Sequence, residues 1–183
     1  MKWKSMFLAF SFATSTITAT AVIPHATTAS AKTLSTSEKN QYKNGQIPGS
    51  QFKIGTTLST IKKKDKHPEI YDGVYYKEDF IYHFDKTKVN NKDKVQMVIK
   101  NNAKETSNNL KKAFGNPVAT KKLYSGGEGD KLPQSIYKAG KYYILLMQAE
   151  EMESGKYKNI IIGTKTSMQK YVKSEWNWKV TLK

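Results

Sequence analysis

The stretch "GTTLSTIKKKDKHP", residues 55–68, combines a helix signal with a dense run of lysines. Thr56 or Thr57 can cap a helix N-terminus, and Leu58 and Ile61 lie three residues apart, on one helix face. The lysines begin where that helix should end, and there each cation is favoured by the helix dipole by about 0.3–1 kcal/mol. We therefore predict a short packing helix whose solvated end is "KKKDK", rather than a separate cationic tail.

A second stretch, "ETSNNLKKAFGNPVATKKLY" at 105–124, follows the same plan. Thr106 or Ser107 is the expected N-cap, and Gly115 is a natural C-cap. Segments rich in aromatic and β-branched residues follow both helices and favour strands. We predict an α+β fold, with two short helices packed on an antiparallel sheet of six or more strands. The layout reads as two helix-plus-strands units, at 51–102 and 103–165.

The strand signals differ in their periodicity. "EDFIYHF" alternates, and in "KVQMVIK" the residues Val95, Met97 and Ile99 are expected on one face. "YYILLMQA" is a continuous apolar run, which predicts a central strand, and "NIIIGT" should return antiparallel to it. The C-terminal stretch 175–182, "EWNWKVTL", alternates and is predicted to be a half-buried strand. "TSMQKYVKS" before it predicts one or two helical turns.

The N-terminal residues 1–31 have the layout of a secretory signal peptide. Lys2 and Lys4 precede a short apolar run, and "ASA" supplies small residues before a cleavage site at Lys32. No later apolar stretch reaches membrane-spanning length. Residues 32–50 are polar and are predicted to form a flexible arm, because they carry little apolar surface to offset chain entropy. Residues 51–183 are then one domain.

The charge of the chain comes from lysine alone. All 31 basic residues are Lys, against 15 acidic residues, and removal of the leader with its two lysines leaves a net charge of +14. Lysine is a hydrated point charge and lacks the planar fork of arginine, so the composition predicts salt-sensitive attraction with little sequence specificity. The chain has no cysteine, which in an exported, Lys- and Asn-rich protein is typical of Gram-positive bacteria.

Two resemblances add to this interpretation. The stretches "IGTTLSTIKKKDKHPEIY" and "NNLKKAFGNPVATKKLY" resemble the tandem helix-plus-meander modules of β-lactamase-inhibitor-like and outer-membrane-assembly-lipoprotein-like domains. "VIKNN" followed by "KKAFG", in a leader-bearing, cysteine-free and Lys-rich chain, is similar to small secreted staphylococcal surface antigens of the immunodominant antigen B and small basic biofilm-matrix type. This second resemblance implies an extracellular, non-enzymatic protein of the cell surface or biofilm matrix.

The residues offer little catalytic chemistry. His83 and Asp85 are predicted to share a strand face, which would allow a carboxylate-oriented histidine, but a half-exposed strand residue is the simpler interpretation. The carboxylates of Glu150, Glu151 and Glu153 could serve glycoside hydrolysis or bind calcium, but charged residues are ordinary at a predicted hairpin tip. "SGGEGDK" lacks the ending of a phosphate loop and predicts a hairpin or Ω-type loop. We predict no catalytic residue, no cofactor and no metal site.

The expected function follows from charge. Extracellular DNA, teichoic acids or anionic glycans are the expected partners, and "YYILLMQA" with "NIIIG" has the signature of strands able to self-assemble. Six tyrosines interleaved with Lys could bind single-stranded nucleic acid by stacking on its bases. The simpler interpretation is that their rings pack on the sheet and expose their hydroxyl groups to water. A secreted inhibitor or host-factor-binding module is the alternative, followed by an unrecognised hydrolase. The lysines predicted to bind polyanions are Lys62, Lys63, Lys64, Lys66, Lys111, Lys112, Lys121 and Lys122.

Overall fold

The structure, a computed structural model, describes residues 33–124, 131–151 and 155–183. The signal peptide predicted for 1–31, most of the "SGGEGDK" loop and Glu153 lie outside the described residues. Within the described ranges the chain forms four helices and eight strands. In chain order they are α1 (Thr36–Lys43), α2 (Leu58–Lys64), β1 (Ile70–Tyr71), β2 (Val74–Lys77), β3 (Phe80–Phe84), β4 (Val95–Lys100), α3 (Ser107–Phe114), β5 (Ala119–Tyr124), β6 (Lys131–Ala139), β7 (Tyr142–Glu151), β8 (Gly155–Gly163) and α4 (Lys165–Trp176).

The eight strands form one antiparallel sheet in the order β1-β2-β3-β4-β8-β7-β6-β5. Helix α2 precedes the meander β1–β4, and α3 precedes the meander β5–β8. The last strands of the two meanders pair with each other, with Ile99 opposite Ile161. The predicted fold class, α+β with short helices on an antiparallel sheet, is confirmed. The apolar run "YYILLMQA" lies in β7, between β6 and β8, as an interior strand.

Helices α1, α2 and α3 pack on one side of the sheet, which we call the three-helix face. Each contributes fully buried side chains to a common core: Tyr42 from α1, Ile61 from α2 and Leu110 from α3. These side chains pack against strand residues such as Tyr82 and Ile144. Burial of each large apolar side chain contributes roughly 1.5–3 kcal/mol, so this core holds all three helices to the sheet.

The opposite side of the sheet, the α4 face, is covered by α4 and the residues after it. Met168 and Val172 of α4 are fully buried against β4, β7 and β8. The strand predicted at 175–182 is wrong, because α4 continues to Trp176 and no strand pairing follows it. Asn177 adopts a left-handed conformation at φ 48° and turns the chain. The residues beyond it lie extended across the sheet rather than at its edge, so they keep the predicted alternation of buried and exposed side chains without joining the ladder.

The flexible arm predicted for 32–50 is also wrong from residue 33 onward. Helix α1 lies in this segment, and Tyr42 and Ile47 are fully buried. Ser35 and Glu38 form a reciprocal capping box, with N···O distances of 2.7 and 3.2 Å. A few well-spaced apolar side chains are sufficient here, because they dock onto a core that the rest of the chain supplies. The folded domain therefore begins before residue 51.

The helix α1 is fixed at its C-terminal end by a close approach to the sheet. Gly45 has φ +78°, and a Cβ atom there would lie 2.7 Å from the ring of Tyr142. Only glycine tolerates both the conformation and the contact. The chain then passes over the sheet before it enters α2.

A β-bulge corrects the predicted face assignment in β4. His83 pairs with Met97 but Phe84 pairs with Val95, so one extra residue, Gln96, interrupts the register. As a result Val95 belongs to the core of the three-helix face, whereas Met97 and Ile99 belong to the α4 face. Among the described residues no helix has the length and apolar character needed to cross a bilayer.

Candidate polyanion interface

The lysines at 62–66 lie at the end of α2, on the three-helix side. Thr57 caps the helix, its Oγ1 accepting a hydrogen bond from the Thr60 amide at 3.3 Å. Leu58 and Ile61 are buried, whereas the lysine side chains of the run are exposed. The interpretation of "KKKDK" as the solvated end of a packing helix is therefore confirmed.

The carboxylate inside this run, Asp65, is engaged with the sheet. The Tyr75 hydroxyl donates to Asp65 Oδ2 at 2.6 Å, and Lys77 Nζ donates to the same oxygen at 3.3 Å. The Tyr75 bond, with the backbone amide of His67 next in importance, holds the pKa of Asp65 below its usual value. Asp65 is therefore ionised at neutral pH, and its ion-pair partner is Lys77 rather than a lysine of its own run.

The eight predicted lysines are all exposed, but they form three separate groups. Helix α2 is tied to β2 through Asp65, and α3 is tied to β6 by a 2.7 Å hydrogen bond between Ser107 and Tyr137. These two strands are five positions apart in the sheet, which is about 24 Å at about 4.8 Å per strand. Lys121 and Lys122 are neighbours on the edge strand β5, so their side chains face opposite sides of the sheet.

None of these eight lysines pairs with a carboxylate among the described side chains. Lys62 Nζ donates to Asn91 Oδ1 at 3.0 Å, and Lys64 Nζ lies 5.8 Å from the centre of the Phe52 ring. The positive charge of all three groups is therefore open to solvent and to a ligand. Ion pairs that the described residues do form involve other lysines: Lys77 with Asp65, Lys86 with Asp93, and Lys170 with Asp85.

Sequence reasoning missed a set of lysines that do converge. Lys170 and Lys173 of α4 and Lys179 of the extended C-terminal segment line one groove on the α4 face. We call it the C-terminal groove. The spacing of its helical members, 166, 169, 170 and 173, is that of one helix face and is visible in the sequence. The contribution of Lys179 was not foreseeable, because it depends on the turn at Asn177.

His83 and Asp85 both line one cavity, but they do not interact as a pair. Asp85 Oδ1 accepts a hydrogen bond from Lys170 Nζ at 2.8 Å. No carboxylate among the described residues bonds to His83, and burial lowers the pKa of its imidazole. The cavity has a volume of about 210 Å³ and is bounded on the α4 side by Tyr171. Burial raises the pKa of Tyr171 to about 12, with a smaller effect from Glu175.

The tyrosines divide into core and surface residues. Tyr75, Tyr82, Tyr142 and Tyr143 are buried, so they pack the sheet and offer no ring to a ligand. Two others, Tyr71 of β1 and Tyr76 of β2, are 78% and 62% exposed. By register these two residues lie opposite Val74 and Ile81, on the α4 face at the end of the sheet that α4 does not cover. The stacking surface considered from sequence is thus reduced to one exposed pair.

The acidic group at the β7–β8 hairpin remains a prediction. The side chains of Glu150 and Glu151 are not among those described, and Glu153 lies outside the described residues. Within the described part of the chain, no three His, Asp or Glu side chains are grouped so as to hold a metal ion.

Comparison with known proteins identifies no family. No protein-family model matches the sequence, and no curated protein is significantly similar to it. Among solved structures, the chain is similar to a DUF4309 family protein (YjgB) from Bacillus subtilis, with 12% identity and a TM-score of 0.46. The similarity covers 70% of this chain and 93% of that one. At this level no functional statement follows from it.

Proposed function

We propose that this chain is an exported, non-enzymatic basic protein that binds polyanions of the bacterial surface or biofilm matrix, mainly by electrostatic attraction. Extracellular DNA, teichoic acids and anionic glycans are the expected partners. The observation that carries the proposal is that all eight predicted lysines are exposed and that none pairs with a carboxylate among the described side chains. The leader-like residues 1–31 support export.

The physical basis is the release of counterions from the polyanion. Each lysine that neutralises an anionic group contributes to the salt dependence, and six to ten such contacts reduce affinity by about 10³-fold or more between roughly 50 and 200 mM salt. Lysine supplies charge without planar, bidentate recognition. The binding is therefore expected to depend strongly on ionic strength and weakly on the sequence of a nucleic acid.

The first experiment measures retention of the purified protein on immobilised DNA and on immobilised teichoic acid, with elution in a sodium chloride gradient. We expect strong retention at low salt and complete elution by about 0.5 M. An uncharged dextran matrix is the control and should retain nothing. Retention that persists unchanged in about 0.5 M salt would contradict the proposal.

A pair of matched variants separates charge from side-chain identity. In one, the four lysines Lys62, Lys63, Lys64 and Lys66 are replaced by alanine, and in the other by arginine. The alanine variant should elute at clearly lower salt, whereas the arginine variant keeps the charge and should elute at least as late as the natural chain. Equal elution of the alanine variant and the natural chain would show that this group does not contribute.

A second candidate function is a secreted inhibitor or host-factor-binding module. The exposed pair Tyr71 and Tyr76 favours it, because tyrosine is enriched at the energetic centres of protein interfaces. Such a module would bind one protein partner with modest salt dependence. Binding that survives about 0.5 M salt and is abolished by Tyr71→Ala with Tyr76→Ala would favour this function over the first.

A further inference from the structure

The C-terminal groove is an open cleft of about 540 Å³ between α4 and the extended segment that follows it. Its size falls within the range of about 300–1,000 Å³ that is usual for ligand sites. Trp178 and Val180 contribute apolar surface to it. The polar residues that line it are Thr166, Gln169, Lys170, Lys173, Lys179 and Thr181.

The groove is strongly cationic. Three lysines line it and no acidic residue does. Asp85, the partner of Lys170, is 62% exposed, and the lysine itself is 70% exposed. Exposed ion pairs of this kind contribute little stability, so a ligand anion can replace Asp85 at small cost. Lys173 and Lys179 have no carboxylate partner among the described side chains.

The walls of the groove are held in place by hydrogen bonds. Gln169 Nε2 donates to the Val180 carbonyl at 2.8 Å, which joins the helix to the extended segment. The Trp178 amide donates to the Val172 carbonyl at 3.1 Å, and the Tyr143 hydroxyl donates to the Lys183 carbonyl at the far end. The backbone of the site is therefore preorganised, and the entropy cost of ligand binding falls mainly on the exposed lysine side chains.

The lining residues indicate the class of ligand. Trp178 is only 6% exposed, so the groove offers no open aromatic face on which a nucleic-acid base could stack. Its polar groups are ammonium ions, the hydroxyls of Thr166 and Thr181, and the amide oxygen of Gln169, for which no protein donor is described. Ammonium ions match sulfate, carboxylate or phosphate groups, and the hydroxyls and amide oxygen match the hydroxyls of a sugar.

We propose that the C-terminal groove is a binding site for an anionic oligosaccharide, whose sulfate or carboxylate groups contact Lys170, Lys173 and Lys179. This inference rests on the proposed function and deepens it. It assigns one class of polyanion to one place on the molecule, where the ligand gains hydrogen bonds in addition to long-range attraction. The three lysine groups predicted from sequence then act at a distance, by attracting the polymer.

The test compares two double variants that each remove two positive charges. Lys173→Ala with Lys179→Ala alters the groove. Lys53→Ala with Lys94→Ala is the matched control, since both lysines are exposed and flank residues of the three-helix core. Isothermal titration calorimetry with a heparin-derived octasaccharide measures binding at low salt. We expect the groove variant to lose about tenfold or more in affinity and the control less than about threefold.

Each outcome bears on a different claim. Equal losses in both variants would overturn the site and leave general electrostatic binding in place. Tighter binding of a single-stranded oligonucleotide than of the octasaccharide, lost in the groove variant, would overturn the ligand class. Failure of the natural chain to bind any polyanion at low salt would overturn the proposed function together with this inference. Thermal denaturation of both variants confirms that each is folded.

Discussion

Replacement of Tyr42 by phenylalanine tests whether the segment before residue 51 belongs to the fold. The Tyr42 hydroxyl donates to Glu105 Oε1 at 2.8 Å, between α1 and the chain just before α3. Burial, followed by the charge of Glu105, raises the pKa of Tyr42 far above its usual value, so the hydroxyl keeps its proton. Glu105 is only 7% exposed, and its other oxygen, Oε2, already has no hydrogen-bond partner.

The expected cost follows from this geometry. Tyr42→Phe retains the buried ring but removes the hydrogen bond to a buried carboxylate, which costs about 1.5–3 kcal/mol. For a domain of this size 1 kcal/mol corresponds to a change of about 2–4 °C in Tm, so we expect Tm to fall by about 3–12 °C. Urea titration should show the same loss of free energy of unfolding with little change in its m-value.

The control for this prediction is Tyr76→Phe, which removes a hydroxyl from a side chain that is 62% exposed. It should change the free energy of unfolding by less than about 0.5 kcal/mol. A double-mutant cycle that combines Tyr42→Phe with Glu105→Leu should give a coupling energy of at least about 0.5 kcal/mol. If Tyr42→Phe is as silent as Tyr76→Phe, the docking of α1 described above is incorrect.

Three further changes test the core and the ionised groups. Ile61→Ala empties a fully buried site and should cost about 2–5 kcal/mol in urea titration, whereas Lys62→Ala beside it should be nearly neutral. The hydrogen bond from Tyr75 is the main reason why the pKa of Asp65 is lowered in the folded state. The ionised Asp65 therefore stabilises the fold fully above about pH 4, and this stabilisation is lost as pH falls through the folded pKa. Asp65→Asn should remove that acid-dependent loss. Burial lowers the pKa of His83, so the free energy of unfolding should decline as pH falls below about 6.5. The variant His83→Phe should lose this decline in thermal melts. If it kept the same decline, His83 would not be its cause.

Much of the fold could be predicted because its signals are local. The caps at Thr57 and Thr106 and the C-cap at Gly115 were all visible in sequence, and the structure uses each of them. The capping box of α1, "STSE" at 35–38, is a local signal too, but the polar composition around it predicts a flexible arm instead. The β4 bulge had no local signal. It lies where Val95 exchanges backbone hydrogen bonds with Gly55 and Thr56, outside the part of β4 that pairs with β8.

The C-terminal segment shows why an alternating pattern is ambiguous. Trp178, Val180 and Leu182 alternate as a strand would, because any extended chain lying on an apolar surface buries every second side chain. Whether such a segment joins a ladder or crosses the face of a sheet depends on where a free edge exists. Here the edges are β1 and β5, and the segment reaches neither.

The candidate site was less predictable than the fold. Composition and spacing correctly placed eight lysines on the surface, but they could not show that α2 and α3 lie on different halves of the sheet. The C-terminal groove depends on side chains from α4 and from a segment that folds back beside it. Only a tertiary structure brings Lys179 next to Lys173.

The position of β7 and β8 has a consequence for fibril formation. β7 lies between β6 and β8, and β8 lies between β7 and β4, so neither of the two most β-prone runs of the chain forms an edge of the sheet while the domain is intact. Recruitment of these runs into a cross-β fibre must therefore begin with rupture of the sheet. The lag before fibres appear would then follow the rate of global unfolding, and any molecule that binds the native domain would lengthen it.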